Sequence, residues 1–382
     1  MNINKIKIQT ILLSMVIVLS VLSQITDIII LGQLNSLFWI GLTILCFERT
    51  LSSPTKEYIF WFSLLFLYLC LMFIVDYYLQ FPSTLRLLIT PLIVIYVADC
   101  FSTNGTDDIE IYTCVYLIST VILATHLNIS TEKTVNEWIE SQEYLIVQKN
   151  SASQIFASAI IASFFFIKNN GIFKRVAKYT GIIYLFFSML LLQSRTSFFA
   201  LAVAVLCYSS KTKKNKRTFF IVLLCIACLI ALLMNRSFIE FISHALLFDK
   251  YEDRSFDDYS SGRMHAIEEG LQLFYNHPAF GVGYYYVDCF YVNILVNIGL
   301  TGGIIVFTLL GRRLYQCFTY KGKENEELFL KCITVFYICE SIGEAAPPFG
   351  PGVACFMFWF ISTIILKGDH KENLRLQNET IV

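Results

Sequence analysis

The sequence predicts an all-α, polytopic membrane protein of about twelve transmembrane helices. They form a single transmembrane domain over 1–382, with a large extracytoplasmic loop at 235–287 that bears a short amphipathic helix. Three observations predict it. Of the 382 residues, 56% are hydrophobic and 15% are charged, against roughly 25% charged in soluble domains. The apolar residues come in blocks of about 16–24, the length that crosses a bilayer. The basic residues collect in a few short segments between those blocks.

The blocks read as spans at 8–31, 34–47, 58–79, 84–101, 109–126, 151–167, 179–193, 197–210, 218–234, 288–310, 328–345 and 351–366. The first follows Lys5 and Lys7. It is too long for a signal-peptide core and lacks a small-residue cleavage site, so it reads as an uncleaved span. Orientation follows from lysine and arginine in short loops. Residues 168–178 carry Lys168, Lys174, Arg175 and Lys178; 211–217 (KTKKNKR) carry five basic residues; 312–323 carry Arg312, Arg313, Lys321 and Lys323. With twelve spans all three segments fall on one side, together with Lys5, Lys7 and the tail after Lys367. Both termini are therefore expected in the cytoplasm.

The same count puts two long loops outside, about 127–150 and 235–287. The second holds aromatics throughout, unlike a disordered segment, so it is expected to fold against the membrane domain. Within it Met264, Ile267, Leu271 and Phe274 recur at helical spacing. Ser260 or Ser261 is placed to cap that helix. Asn276, Pro278, Gly281 and Gly283 end it and turn the chain back to the membrane.

Several function classes find no support. The formal net charge is zero, which gives no argument for nucleic acid. No phosphate-binding glycine loop, dinucleotide fingerprint or acidic pair in a cytoplasmic domain is present, so a donor substrate comes from the membrane and not from cytosolic nucleotide sugar. Most of the twelve cysteines sit in apolar blocks, where they act as small hydrophobes. Cys225 and Cys228 lack a second pair or a histidine cluster, so no metal site and no cofactor is expected. Cys289 alone is expected near the outer surface.

The chemistry-bearing residues gather at the expected outer face. Ser194-Arg195-Thr196-Ser197 interrupts a long apolar stretch. An arginine there faces a wet cavity, a partner or the lipid headgroups, and its forked donors suit a phosphate. Arg263 opens the amphipathic helix, where free amides add to an anion site; pairing with Asp257 or Asp258 is the plainer alternative. Arg86 follows a proline-serine turn and has Asp76 as a possible partner. Asp288 stands just after Tyr284, Tyr285 and Tyr286. It is either a helix cap at an aromatic belt or a carboxylate that takes a proton from a sugar hydroxyl. His277 is a turn residue or a phosphate contact. Glu340 and Glu344 lie in the outer half of a span, where a carboxylate is functional by default or satisfies an arginine such as Arg195.

These stretches resemble a known family. "SGR", the amphipathic helix, "HPAFGVG" and "DCFYVNILVNIGLTGGIIVF" in that order are similar to the O-antigen polymerase and ligase superfamily. "QSRTSFFAL" resembles its arginine-bearing segment, and "QKNSASQIFASAI" its asparagine-and-small-residue span start. The resemblance is firmest over about 190–310. Where that family shows a histidine-asparagine pair eleven residues before a glycine, this chain has Asp288 and Cys289 before Gly299. The resemblance implies a bacterial cytoplasmic-membrane glycosyltransferase. The departure at Asp288 points to a repeat-unit polymerase of capsular or surface polysaccharide. Its donor and acceptor would be oligosaccharides on undecaprenyl diphosphate, and a flippase and a chain-length regulator would be its partner proteins. Arg195 and Arg263 would then hold the leaving diphosphate, assisted by Arg86 and His277, and Asp288 would activate the acceptor. Tyr284, Glu340 and Glu344 would line the substrate site. The alternatives are a lipid-linked oligosaccharide flippase, which should carry charge along a central cavity, and an O-antigen-type ligase.

Overall fold

In a computed structural model the structure describes residues 3–25, 28–46, 51–76, 81–101, 108–130, 149–192, 194–211, 263–283, 285–345, 348 and 354–380, with the side chains of 3–7, 54, 76, 81–88, 130, 209–211 and 369–380 excepted. Among these residues every regular element is a helix. In chain order they are α1 (Ile3–Leu22), α2 (Ile29–Leu45), α3 (Ser53–Asp76), α4 (Phe81–Phe101), α5 (Ile109–Ser130), α6 (Lys149–Phe166), α7 (Ile172–Leu191), α8 (Arg195–Lys211), α9 (Arg263–Asn276), α10 (Phe290–Thr319), α11 (Glu324–Gly343) and α12 (Phe356–Thr380). The expected span 218–234, the loop residues 235–262 with Asp257, Asp258, Ser260 and Ser261, and most of the loop 127–150 lie outside the described residues.

Among the described residues three helices are long and apolar enough to cross a membrane, at Thr55–Val75, Ile109–Ile129 and Phe290–Thr319, and shorter apolar helices accompany them. Large apolar side chains such as Ile74, Ile129, Ile172 and Phe173 are exposed on the outside of the bundle. Apolar side chains exposed on so many helices suit a lipid environment rather than water. The chain is a membrane protein.

Helix α6 lies at the centre, with Ala152–Ala159 and Ile161–Ser163 buried. Its small residues let neighbours approach closely; the Tyr116 hydroxyl of α5 lies 2.7 Å from Ser158 Oγ. Helix α8 packs on α11 in the same way, through buried Ser197, Ala200 and Ala204, with the Cys332 thiol 3.7 Å from the Ala204 carbonyl. Helix α6 in turn packs on α8 and α11, which sets the ends of the three helices side by side.

Several expected boundaries are corrected. The block 8–31 is not one span. α1 stops at Leu22, and Ser23 and Gln24 tighten its last turn by bonds to Leu19 and Val21 carbonyls (2.8 and 3.2 Å) before α2 begins at Ile29. A hydropathy window averages over so short a polar turn. Two of the basic segments are helical rather than loop. Lys174, Arg175 and Lys178 belong to α7, and Arg312 and Arg313 to α10. Lys178 is buried, donating to the carbonyls of Phe164 (3.0 Å) and Ile167 (2.8 Å) at the end of α6. A cation suits a helix C-terminus, where carbonyls lack partners. Arg313 is buried too, donating to Thr363 Oγ1 at 2.6 Å with its guanidinium over the Trp359 ring. The charged tail after Lys367 continues α12.

Charged contacts among the described residues separate to two ends of the bundle. One end holds Glu57 with Arg312, Asp99 with Lys367, and Glu110 with Lys168 and Lys174. The other holds the contacts of Arg263.

Candidate functional site

The stretch "HPAFGVG" and the first third of α10 fold as one unit. Gly299 interrupts α10 with φ +63° and ψ −169°. The interruption frees backbone groups, and the turn takes them up. Val282 and Gly283 amides donate to the carbonyls of Val296 (2.7 Å) and Asn297 (3.1 Å), while Leu300 and Thr301 amides donate to Pro278 (2.8 Å) and Ala279 (3.1 Å). Tyr68 of α3 donates its hydroxyl to the Ile298 carbonyl at 2.7 Å. Asn297 completes the stitch: its amide nitrogen donates to the Tyr285 carbonyl at 2.6 Å, and its oxygen accepts from the Tyr285 amide at 3.1 Å. Gly281, at φ +75°, lies so close to α10 that a Cβ there would meet the Val296 carbonyl at 2.5 Å. Proline and glycine are therefore required because this turn pairs with a broken helix, which holds Tyr285–Asp288 in a fixed course.

Helix α9 rests on the same unit. The expected amphipathic helix is present, but its buried edge differs in part. Gly270 is its fully buried residue, against Val287, Val292 and Val296, and Ile267, Leu273 and Phe274 pack there. Met264 is exposed. The close approach at Gly270 shifts the contact line toward Leu273. Cys289 is buried and occupies the N-cap of α10, next to Asp288.

That seating delivers Arg263 to the ends of α8 and α11. Its Nη1 donates to Thr196 Oγ1 at 3.0 Å, its Nη2 to Glu344 Oε1 at 2.9 Å, and its Nε lies 3.5 Å from Asp288 Oδ2. Asn150, at the start of α6, donates to the same Glu344 oxygen at 2.7 Å. The Ser194 hydroxyl lies 3.2 Å from Asn150 Oδ1 and 3.1 Å from Ser197 Oγ. Lys149 stands within electrostatic range of Glu344. The site thus combines the N-termini of α6, α8 and α9, each with outward amides and partial positive charge, with the C-terminal carboxylates of α11.

The structure brings together Arg263, Asp288 and Glu344 from the expected set. Arg195 is the first residue of α8, half-buried and next to the Thr196 that Arg263 grips. Glu340 lies one turn below Glu344 on α11, fully buried, and neither carboxyl oxygen meets hydrogen-bond geometry, although the Ser197 hydroxyl is its polar neighbour. Glu344 satisfies an arginine, and that arginine is Arg263. Asp288 precedes the capping residue and does not itself cap α10. His277 is exposed at the far end of α9, about 20 Å along the axis from Arg263 by the helical rise; it does not join the cluster. The Arg86 and Asp76 side chains and Tyr284 lie outside the described residues. Tyr286 is exposed beside Asp288. Tyr285 donates to Glu269 Oε2 at 2.7 Å, a bond that holds its phenol above its ordinary value.

Sequence reasoning left Lys149, Asn150 and Thr196 without individual roles. The signals were present, as an asparagine opening a small-residue span and as polar residues flanking Arg195. Among the described residues no three His, Cys, Asp or Glu side chains gather to hold a metal ion.

Fold and site together define an all-helical membrane protein with a compact charged cluster at one end of its bundle. Residues 180–309, about a third of the chain, match the family model Wzy_C, described as O-antigen ligase. That segment holds Arg195, Arg263 and Asp288 and stops before Glu340 and Glu344. The similarity to the O-antigen polymerase and ligase superfamily is thereby shown over this segment. No curated protein matches the chain.

Proposed function

We propose that the protein is a polymerase that joins oligosaccharide repeat units carried on undecaprenyl diphosphate into a capsular or O-antigen-type polysaccharide, at the outer face of the bacterial cytoplasmic membrane. The observation that carries this reading is Arg263, set among Thr196, Asp288 and Glu344 where three helix N-termini meet. An acceptor hydroxyl oxygen attacks the first carbon of the donor glycan. The bond from that carbon to the diphosphate breaks, and its electron pair leaves on the diphosphate. Arg263 and Arg195 stabilise that developing charge, as preorganised donors do. Asp288, with its side chain a third exposed, takes the acceptor's proton. The energy comes from the diphosphate bond, and the residues named supply no redox or nucleotide chemistry.

The charged contacts of the described residues lie at the two ends of the bundle, which favours an enzyme over a flippase with charge along a central path. A ligase is the second reading, favoured by the description of the matched family. The test is purified protein in detergent with lipid-linked repeat units. A polymerase produces a ladder of lengthened lipid-linked chains, a ligase moves a chain to a different acceptor, and a flippase leaves the units unchanged. Absence of a ladder from active, folded protein refutes the polymerase.

A further inference from the structure

The edge of Arg263 formed by Nε and Nη2 is already occupied. Nε faces Asp288 at 3.5 Å and Nη2 faces Glu344 at 2.9 Å, so two separate carboxylates share the fork that a single phosphate would bridge with two parallel bonds. The two are not held equally. Glu344 Oε1 is gripped by Asn150 as well, at 2.7 Å, and its side chain is 13% exposed. The Asp288 contact is longer and its side chain is 33% exposed. Other charged or titratable groups near this pair are Lys149 on α6, Glu340 on α11 and Tyr286 beside Asp288, and Arg195 on α8 is the neighbour in sequence of Thr196.

Resting on the polymerase reading, we propose that Arg263 masks Asp288 until the donor arrives. The donor diphosphate takes the Nε edge of Arg263 and displaces Asp288, while Glu344, anchored by Asn150, keeps the guanidinium in place. Asp288 is then free to accept the proton of the acceptor hydroxyl as the new bond to the donor carbon forms and the diphosphate departs. Glu344 is on this account a positioning residue. The consequence is an ordered reaction, with a base unmasked only when there is a diphosphate to expel.

The experiment is carboxyl footprinting of the full-length protein with a carbodiimide and an amine, read by mass spectrometry, with and without inorganic pyrophosphate. A carboxylate held by a guanidinium is shielded, and an exposed ion pair of this kind is worth up to about 1 kcal/mol, roughly a fivefold change in occupancy. Pyrophosphate should therefore raise modification of Asp288 by about two- to fivefold and leave Glu344 unchanged. In Arg263→Gln, Asp288 should be fully reactive without pyrophosphate. Should that variant fail to fold, Asn150→Ala provides the second arm: with its second anchor gone, Glu344 should become responsive to pyrophosphate alongside Asp288. Modification that rises at Glu344 and not at Asp288 in wild type, or at neither, overturns the proposal. A normal footprint switch in protein that yields no ladder from lipid-linked repeats counts against the polymerase reading alone.

Discussion

The Ala279 carbonyl oxygen lies 2.4 Å from the place a Cβ on Gly299 would occupy, and Gly299 adopts φ +63° there. A side chain at this position meets both backbone strain and backbone contact. Gly299→Ala should cost more than the ~1–3 kcal/mol typical of a strained residue, because the turn that carries Tyr285 to Asp288 must shift. Thermal unfolding in detergent checks it. Gly311→Ala is the control: that glycine is helical with nothing within 4 Å of a built Cβ, and the change should be neutral or gain about 0.5–1 kcal/mol.

Arg263 holds three partners through three nitrogens, and a lysine cannot reproduce that geometry. Arg263→Lys should lower ladder formation by on the order of 10²–10³, close to Arg263→Ala, as expected for loss of a preorganised charge donor. Arg195→Ala should fall by a similar factor. Initial rates at equal protein level measure both. Rescue of Arg263 by lysine would mean that charge alone suffices.

Lys178 caps the end of α6 from inside the bundle. Lys178→Met leaves two carbonyls without their donor and should destabilise by about 1–3 kcal/mol. Lys174→Met removes only an exposed contact with Glu110 at 3.8 Å and should cost less than about 1 kcal/mol. Unfolding midpoints of the two variants, compared side by side, give the answer.

Glu340 is buried with both carboxyl oxygens unsatisfied. A buried polar group without a hydrogen-bond partner costs about 1–3 kcal/mol, which an apolar residue of similar volume removes. Glu340→Met should raise the unfolding midpoint and abolish the ladder. That combination identifies a carboxyl kept at a cost to stability because the site uses it. A stabilised variant with full activity shows instead that the site does not need it.

Much of this architecture was legible from local pattern. Hydropathy located most helices, helical spacing found α9 with Arg263 at its start, and a carboxylate at the edge of or within an apolar span picked out Asp288 and Glu344. Local pattern cannot show convergence. Asn150 and Glu344 lie 194 residues apart in sequence and 2.7 Å apart in space, and no spacing rule connects them. The broken α10 was hidden for another reason: a glycine inside an apolar run is compatible with an unbroken helix until a second segment supplies hydrogen bonds to the freed backbone. Lys178 and Arg313 were read as loop charges because composition records a cation and not the carbonyls or ring that receive it.

Because Glu344 ends the helix next to last in the described chain, the charged cluster has a birth order. During synthesis Asn150, Thr196, Arg263 and Asp288 all emerge before the residue that joins two of them. A nascent chain released upstream of α11 would hold Arg263, Asp288 and Thr196 without the carboxylate that ties Arg263 to Asn150. Assembly of the charged cluster therefore coincides with completion of the C-terminal helices.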